Sequence, residues 1–141
     1  MKLGKYFTLE ELIVTKTNLL NVPNQSQILA LSGLVNNILD PVRELYAKPI
    51  NVNSGFRSQR VNDATPNASH TSQHIKGEAA DLDNDIDNAK LFYLIRDNFV
   101  FDQLIWEHGD DKNPAWVHVS YKTQGNRGEV LKTVGKKYIR L

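Results

Sequence analysis

Two long stretches of the chain carry apolar residues at steps of three and four positions, which is the spacing of one buried helix face. The first runs from about residue 26 to residue 46, and Pro41 lies inside it. Proline removes a backbone donor, so we predict a kink or a join between two helical pieces there. The second covers residues 85–99 and predicts a helix capped by Asp85 or Asp87.

A shorter helix is predicted near the start of the chain. Thr8 and Glu11 have the spacing of a capping box, and Phe7 can supply the hydrophobic staple that often accompanies one. The following "NLLNVPNQ" contains a proline and three asparagines, which predict the end of this helix.

Four segments show the two-residue period of a β-strand. They are "PINVNS", "EAADLD", "FDQLIWE" and "WVHVSY". The last two flank "HGDDKNPA" and predict a hairpin, whereas residues 57–74 are polar and predict a long loop. Helices first, then mostly local strand pairs, indicate an α+β fold: a small, mostly antiparallel sheet with N-terminal helices and one further helix packed on it. We expect a single domain covering residues 1–141.

Charge and composition exclude several classes of function. The 141 residues include 17 basic and 16 acidic ones, so no broad basic surface is expected for nucleic acid, and the basic "GKKYIRL" indicates a solvated tail. Cysteine is absent, so a metal would need His, Asp or Glu ligands. No stretch has the apolar run of a secretory signal or a membrane span, and we expect a product made in the cytoplasm.

One segment, "TSQHIKGEAADLD", has the composition of a metal site. A turn at Gly77 would let His74 and Asp81 face one point, and His118 on the late strand is the best third ligand for a tetrahedral zinc with one open position. A lone strand histidine is more often a hydrogen-bonded side chain. His70 competes through its four-residue spacing from His74, and we expect His108 to be exposed.

The same residues resemble a known signature. Ser72-x-His74-x-x-Gly77-x-Ala79-x-Asp81, followed by "WVH", is similar to the motif of the zinc D-alanyl-D-alanine carboxypeptidase family. That family includes vancomycin-resistance D,D-dipeptidases and phage endolysin peptidases and shares its fold with the hedgehog signalling domain. "YFTLEEL", "ILDPVRELYAKPINVNSGFRS" and "FDQLIWE" also resemble its small phage and prophage members. The resemblance implies Zn²⁺ bound by His74, Asp81 and His118.

It also implies the catalytic parts of an amide hydrolase. Arg57 matches an active-site arginine that polarises the scissile carbonyl or holds a substrate carboxylate; a loop salt bridge is its alternative. Ser72 matches a serine that binds substrate or shapes the loop.

The general base departs from the commonest pattern of the family. Many relatives place an acid three residues before the last ligand, where this chain has Ala115. Small phage-type relatives use the end of the preceding strand instead, which is Glu107. A hairpin that pairs Glu107 with Trp116 would put Glu107 on the face of His118. Asp110 and Asp111 are the alternatives.

The implied function is a monomeric peptidoglycan peptidase of D,D- or L,D-type that acts on stem peptides or crossbridges. A phage or prophage endolysin released through a holin, or a virion-associated enzyme, would fit. The alternatives are a non-catalytic zinc-binding virion or structural domain of the same fold and a cytoplasmic D,D-dipeptidase.

Overall fold

Six strands form one sheet in the computed structural model, which describes residues 1–141. They are β1 (Asn51–Ser54), β2 (Ala79–Asp83), β3 (Gln103–Glu107), β4 (Trp116–Ser120), β5 (Glu129–Val134) and β6 (Lys137–Arg140). The spatial order is β1-β2-β4-β3-β5-β6, and every neighbouring pair is antiparallel except the parallel pair of β3 and β5. The predicted α+β class with a mostly antiparallel sheet is confirmed.

The predicted N-terminal helix is present as α1, Leu9–Leu12, and begins with the predicted capping box. The Thr8 hydroxyl accepts from the Glu11 N–H, and the Glu11 carboxylate accepts from the Thr8 N–H. These reciprocal bonds satisfy two backbone donors that a helix start leaves unpaired. They give a definite start to a helix of only 4 residues.

The long amphipathic stretch folds as three consecutive helical segments. They are α2 (Gln25–Leu34), a π-helical segment (Val35–Leu39) and α3 (Asp40–Tyr46). The predicted join falls beside Pro41, which lies in the first turn of α3. Because Pro41 has no N–H, the α-helical pattern is interrupted just before it, and a π segment accommodates the interruption.

The prediction of a loop over residues 57–74 is partly wrong. It contains α4 (Gln59–Asp63), and a 3-10 helix (Gln73–Lys76) begins at its end. Ser58 caps α4 by accepting from the Val61 N–H. A helix of 5 residues with mostly polar side chains shows too little apolar periodicity to be recognised in the sequence.

The C-terminal "GKKYIRL" is exposed, as its charge predicts, but it is not a free tail. It contains β6, which pairs with β5 in a hairpin that extends the sheet beyond β3. All of β6 is exposed, so its sequence lacks the alternation that marks a half-buried strand.

The helix after β2 is α5, Asn88–Asn98, and Asp87 is its cap, as one of the two predicted alternatives. Helix α5 packs on β3 and β4, and α3 packs on α5. No helix combines the length and the apolar character needed to cross a bilayer.

The sheet has two chemically different faces. One carries buried apolar side chains that join the helices in a core of 23 residues, among them Leu82, Leu104, Val117 and Val119. The opposite face carries Asp81, Glu107 and His118 and forms the floor of a cleft. Strand alternation therefore separates the chemistry from the core.

Candidate metal centre

The first candidate ligand, His74, is held by the turn that the sequence predicted. The Ser72 hydroxyl accepts from the His74 N–H, and the chain leaves the 3-10 helix at Gly77 with φ of 75°. A Cβ at Gly77 would lie 2.5 Å from the Gln27 carbonyl oxygen of α2. Both the left-handed backbone and this close approach require glycine.

The His74 ring is fixed by a backbone carbonyl. Its Nδ1 lies 2.7 Å from the Gly55 oxygen, which can only accept, so Nδ1 carries the proton and Nε2 offers its lone pair. Gly55 itself packs against Leu12 of α1, where a Cβ would lie 2.4 Å from the carbonyl oxygen. Burial lowers the pKa of His74, which favours the neutral imidazole that binds a metal.

Asp81 and His118 meet because they pair directly across β2 and β4. His118 Nδ1 lies 3.0 Å from Asp81 Oδ1, and His74 Nε2 lies 3.4 Å from the same oxygen. Burial opposes the charge of Asp81, but its interactions with His74 and His118 outweigh burial and hold its pKa well below the ordinary value. The site therefore combines an ionised carboxylate with two imidazoles.

The donor set fits a zinc ion. One potential ligand atom from each of His74, Asp81 and His118 lies within 4.8 Å of the others. Ligand atoms about 2.0–2.2 Å from a tetrahedral zinc are roughly 3.3 Å apart, close to the two distances to Asp81. With Nδ1 of His74 donating to Gly55, its Nε2 lone pair faces a carboxylate oxygen, an arrangement that a cation between them would stabilise.

Arg57 lies on the other side of the same carboxylate. Its guanidinium donates to Asp81 Oδ2 at 3.3 Å, to Ser54 Oγ at 2.9 Å and to Asn62 Oδ1 at 3.2 Å. Three of the five guanidinium N–H groups are thereby used, and two remain for a ligand in the cleft that Arg57 lines. Arg57 therefore forms an ion pair with Asp81 of β2 and also lines the cleft.

Glu107 shares the cleft with the candidate ligands His74, Asp81 and His118, which we call the metal-binding group. Glu107 pairs with Trp116 and Ile105 with His118, which is the register that the sequence analysis required for Glu107 to share the face of His118. The Thr133 hydroxyl donates to Glu107 Oε1 at 3.1 Å, and Oε2 has no protein partner but is not enclosed. Burial raises the pKa of Glu107, although nearby His118 and the Thr133 hydrogen bond act in the opposite direction.

The alternative bases lie outside the cleft. Asp110 accepts from the N–H groups of Lys112 and Asn113 within the turn, and the exposed Asp111 pairs with Lys132. Neither lines the cleft. Their roles in the hairpin are those of solvated turn residues.

The other histidines are not part of the metal-binding group. His70 is exposed and pairs with Asp63, and His108 is exposed at the rim, where its ring lies 5.2 Å from that of Trp116. The predicted exposure of His108 is confirmed.

Several residues at the site were absent from the sequence-based set. Leu131 and Tyr138 of the C-terminal hairpin line the cleft, Thr133 of the same hairpin donates to Glu107, and the Gly55 carbonyl orients His74. Alternation in "EVLKTV" is the only sequence signal for the hairpin, and it is weak because both faces carry an apolar residue. Every residue type has a backbone carbonyl, so the sequence does not indicate which carbonyl binds His74.

The chain matches a known protein family. A family model described as Peptidase M15 matches residues 5–120, a range that contains His74, Asp81, His118, Arg57 and Glu107. No curated protein matches the chain.

Proposed function

The chain belongs to the peptidase M15 family, the zinc D-alanyl-D-alanine carboxypeptidases, and from this premise we propose that it hydrolyses an amide bond in bacterial peptidoglycan. One observation carries the proposal: the carboxylate of Glu107 opens into the same cleft as the group formed by His74, Asp81 and His118. A metal site alone would serve binding. A metal site beside a carboxylate with a free oxygen has the parts of a hydrolase.

The reaction divides between metal and protein. A zinc ion held by His74, Asp81 and His118 would supply Lewis acidity, which would lower the pKa of a water molecule and polarise an amide carbonyl. Glu107 accepts a proton from the attacking water at its open oxygen and then donates a proton to the leaving nitrogen. Its raised pKa suits both steps, because a base whose pKa lies closer to neutrality is also a usable acid.

Arg57 supplies the positive charge that acyl transfer needs. Its two remaining N–H groups stabilise the oxyanion that develops when water adds to the carbonyl, or hold a substrate carboxylate. The contacts of Arg57 with Ser54, Asn62 and Asp81 fix the guanidinium beforehand, so little reorganisation accompanies the reaction.

The cleft fits a short peptide. Its volume is about 540 Å³, within the usual range for small-ligand sites, and most of its 20 lining residues are polar. Its two arginines, Arg57 and Arg127, suit a substrate that carries carboxylates, as cell-wall stem peptides do. The proposed substrate is therefore a stem peptide or crossbridge with a D-amino acid at the scissile bond, and the proposed setting is a phage or prophage lysin.

The test is digestion of purified sacculi from several wall chemotypes with the zinc-loaded protein, followed by mass spectrometry of the products. Glu107→Gln is the matched control, because it keeps the size and the acceptor for Thr133 but cannot accept the proton. Cleavage by the wild type, with none by Glu107→Gln, supports the proposal.

The same digests separate the alternatives. No cleavage of any chemotype by a stoichiometrically zinc-loaded preparation would contradict the peptidase and favour a non-catalytic zinc-binding domain. Release of D-alanine from free D-alanyl-D-alanine, with sacculi untouched, would identify a dipeptidase instead.

A further inference from the structure

The C-terminal hairpin contributes to a cleft whose metal-binding group, Arg57 and Glu107 all lie in the range that the family model matches. That match ends at residue 120, whereas the β5–β6 hairpin spans residues 129–140. Leu131 pairs with Ile105, the neighbour of His118 in the register, and Thr133 pairs with Tyr138 across the hairpin. Leu131 and Tyr138 line the cleft, so the hairpin forms one of its walls.

The hairpin is firmly attached to the rest of the sheet. Besides the parallel ladder with β3, the Gly128 N–H donates to the Phe101 carbonyl and the Glu129 N–H to the Asp102 carbonyl. The fully buried Asp102 carboxylate accepts from the Arg127 backbone and from its guanidinium at 2.7 and 3.0 Å. Charge-assisted bonds of this kind set the position of β5 relative to β3.

Thr133 makes the one hydrogen bond that the protein gives to the Glu107 side chain. Both residues are 7% exposed, and the distance from Oγ1 to Oε1 is 3.1 Å. A carboxylate has two oxygens and broad freedom about its last torsion. A single fixed donor on one oxygen therefore sets the orientation of the carboxylate and leaves the other oxygen open toward the cleft.

We propose that Thr133 is the positioning residue for Glu107, holding one carboxylate oxygen so that the other faces the substrate. This inference rests on the proposed function, in which Glu107 moves the proton. Thr133 touches neither the substrate nor the metal-binding group, and its effect passes through the orientation of Glu107 alone. The C-terminal hairpin is then a working part of the active site.

Three variants test the proposal. Thr133→Val removes the donor and keeps the shape, Thr133→Ser keeps the donor, and Thr123→Val makes the same chemical change at an exposed loop position outside the cleft. We expect Thr133→Val to lower kcat roughly 10-fold, as lost orienting contacts do, with KM and bound zinc unchanged. Thr133→Ser should recover most of kcat, and Thr123→Val should match the wild type. Thr133→Ala replaces Thr133→Val if the latter fails to fold.

A second readout does not depend on activity. In zinc-free protein, ¹³C NMR of the Glu107 carboxyl should show its titration at higher pH in Thr133→Val than in the wild type, because a donor that favours the charged form is lost. Thr133→Ser should titrate like the wild type.

An unchanged titration or an unchanged kcat in Thr133→Val would overturn the proposal. If the wild type cleaves no wall substrate, the proposed function fails, and the titration still decides whether Thr133 orients Glu107.

Discussion

Glu107 is buried at a position that disfavours the negative charge of its carboxylate. Burial raises its pKa in the folded protein above the value in the unfolded chain. The ionised form present at neutral pH therefore costs stability, and the cost disappears as the pH falls below the ordinary glutamate value. Such a cost is common where a residue is kept for its chemistry.

We predict that Glu107→Gln stabilises the zinc-free protein at neutral pH. Glutamine keeps the hydrogen bond with Thr133 and removes the buried charge. The gain in the free energy of unfolding should shrink as the pH falls through the raised pKa of Glu107. Urea denaturation of chelated wild type and variant at pH 7 and pH 4 measures it, and a variant less stable than the wild type at pH 7 would contradict the prediction.

A second prediction concerns His118 and the binding of zinc. His118→Ala removes one of three potential ligands, so the purified protein should retain no stoichiometric zinc, and chelator should no longer lower its melting temperature. His108→Ala is the matched control, because His108 is exposed and outside the metal-binding group. Elemental analysis after dialysis gives the answer, and stoichiometric zinc in His118→Ala would refute the ligand assignment.

At the scale of the elements, the turn between the 3-10 helix and β2 brings His74 toward Asp81. Gly77 and Gly125 have nearly the same positive φ, 75° and 76°, but only Gly77 faces a neighbouring backbone. Gly125→Ala should cost about 1 kcal/mol of backbone strain. Gly77→Ala should cost roughly 1–3 kcal/mol more, through its collision with the Gln27 carbonyl, and should weaken zinc binding. Denaturation and zinc titration of both variants test this, and equal losses would contradict it.

The ion pair that attaches the C-terminal hairpin should make the stability of the fold depend on pH. The Arg127 hydrogen bonds lower the pKa of buried Asp102, so this pair stabilises the fold at neutral pH and loses that contribution as the pH falls through the folded-state pKa of Asp102. Arg127→Met should lower the free energy of unfolding by about 2–3 kcal/mol at pH 7. The difference in stability between wild type and variant should become smaller in acid.

Arg96→Met is the control for Arg127→Met, because Arg96 forms only an exposed pair with Asp97 and should change stability little. Denaturation at several pH values is the measurement. A gap between wild type and Arg127→Met that widens in acid would contradict the assignment.

Sequence reasoning reached the central elements because their signals were local. The capping box at Thr8 and the join at Pro41 follow from short patterns. Helix α4 and the C-terminal hairpin could not be predicted in this way. A short polar helix and an exposed edge strand bury few apolar side chains, so their sequences show no hydrophobic periodicity.

Over the whole molecule, the sheet assembles a site from distant parts of the chain. Arg57, His74, Asp81, Glu107 and His118 lie on five separate elements or their ends and meet in one cleft. The residue pattern grouped His74, Asp81 and His118, the family resemblance added Arg57 and Glu107, and all five lie in the matched range. Thr133 lies beyond that range, and only the parallel pairing of β3 with β5 brings it to Glu107. Contacts created by strand order cannot be read from local sequence.

The most direct measurement is cell-wall hydrolysis in ¹⁸O-water, with zinc content determined in the same samples. The zinc-loaded wild type should produce new peptide ends with ¹⁸O in one carboxylate, and chelation should abolish the product until zinc is restored. Glu107→Gln should bind as much zinc and be slower by roughly 10²-fold or more. A wild type that binds stoichiometric zinc but incorporates no ¹⁸O, or a Glu107→Gln variant as active as the wild type, would contradict the account.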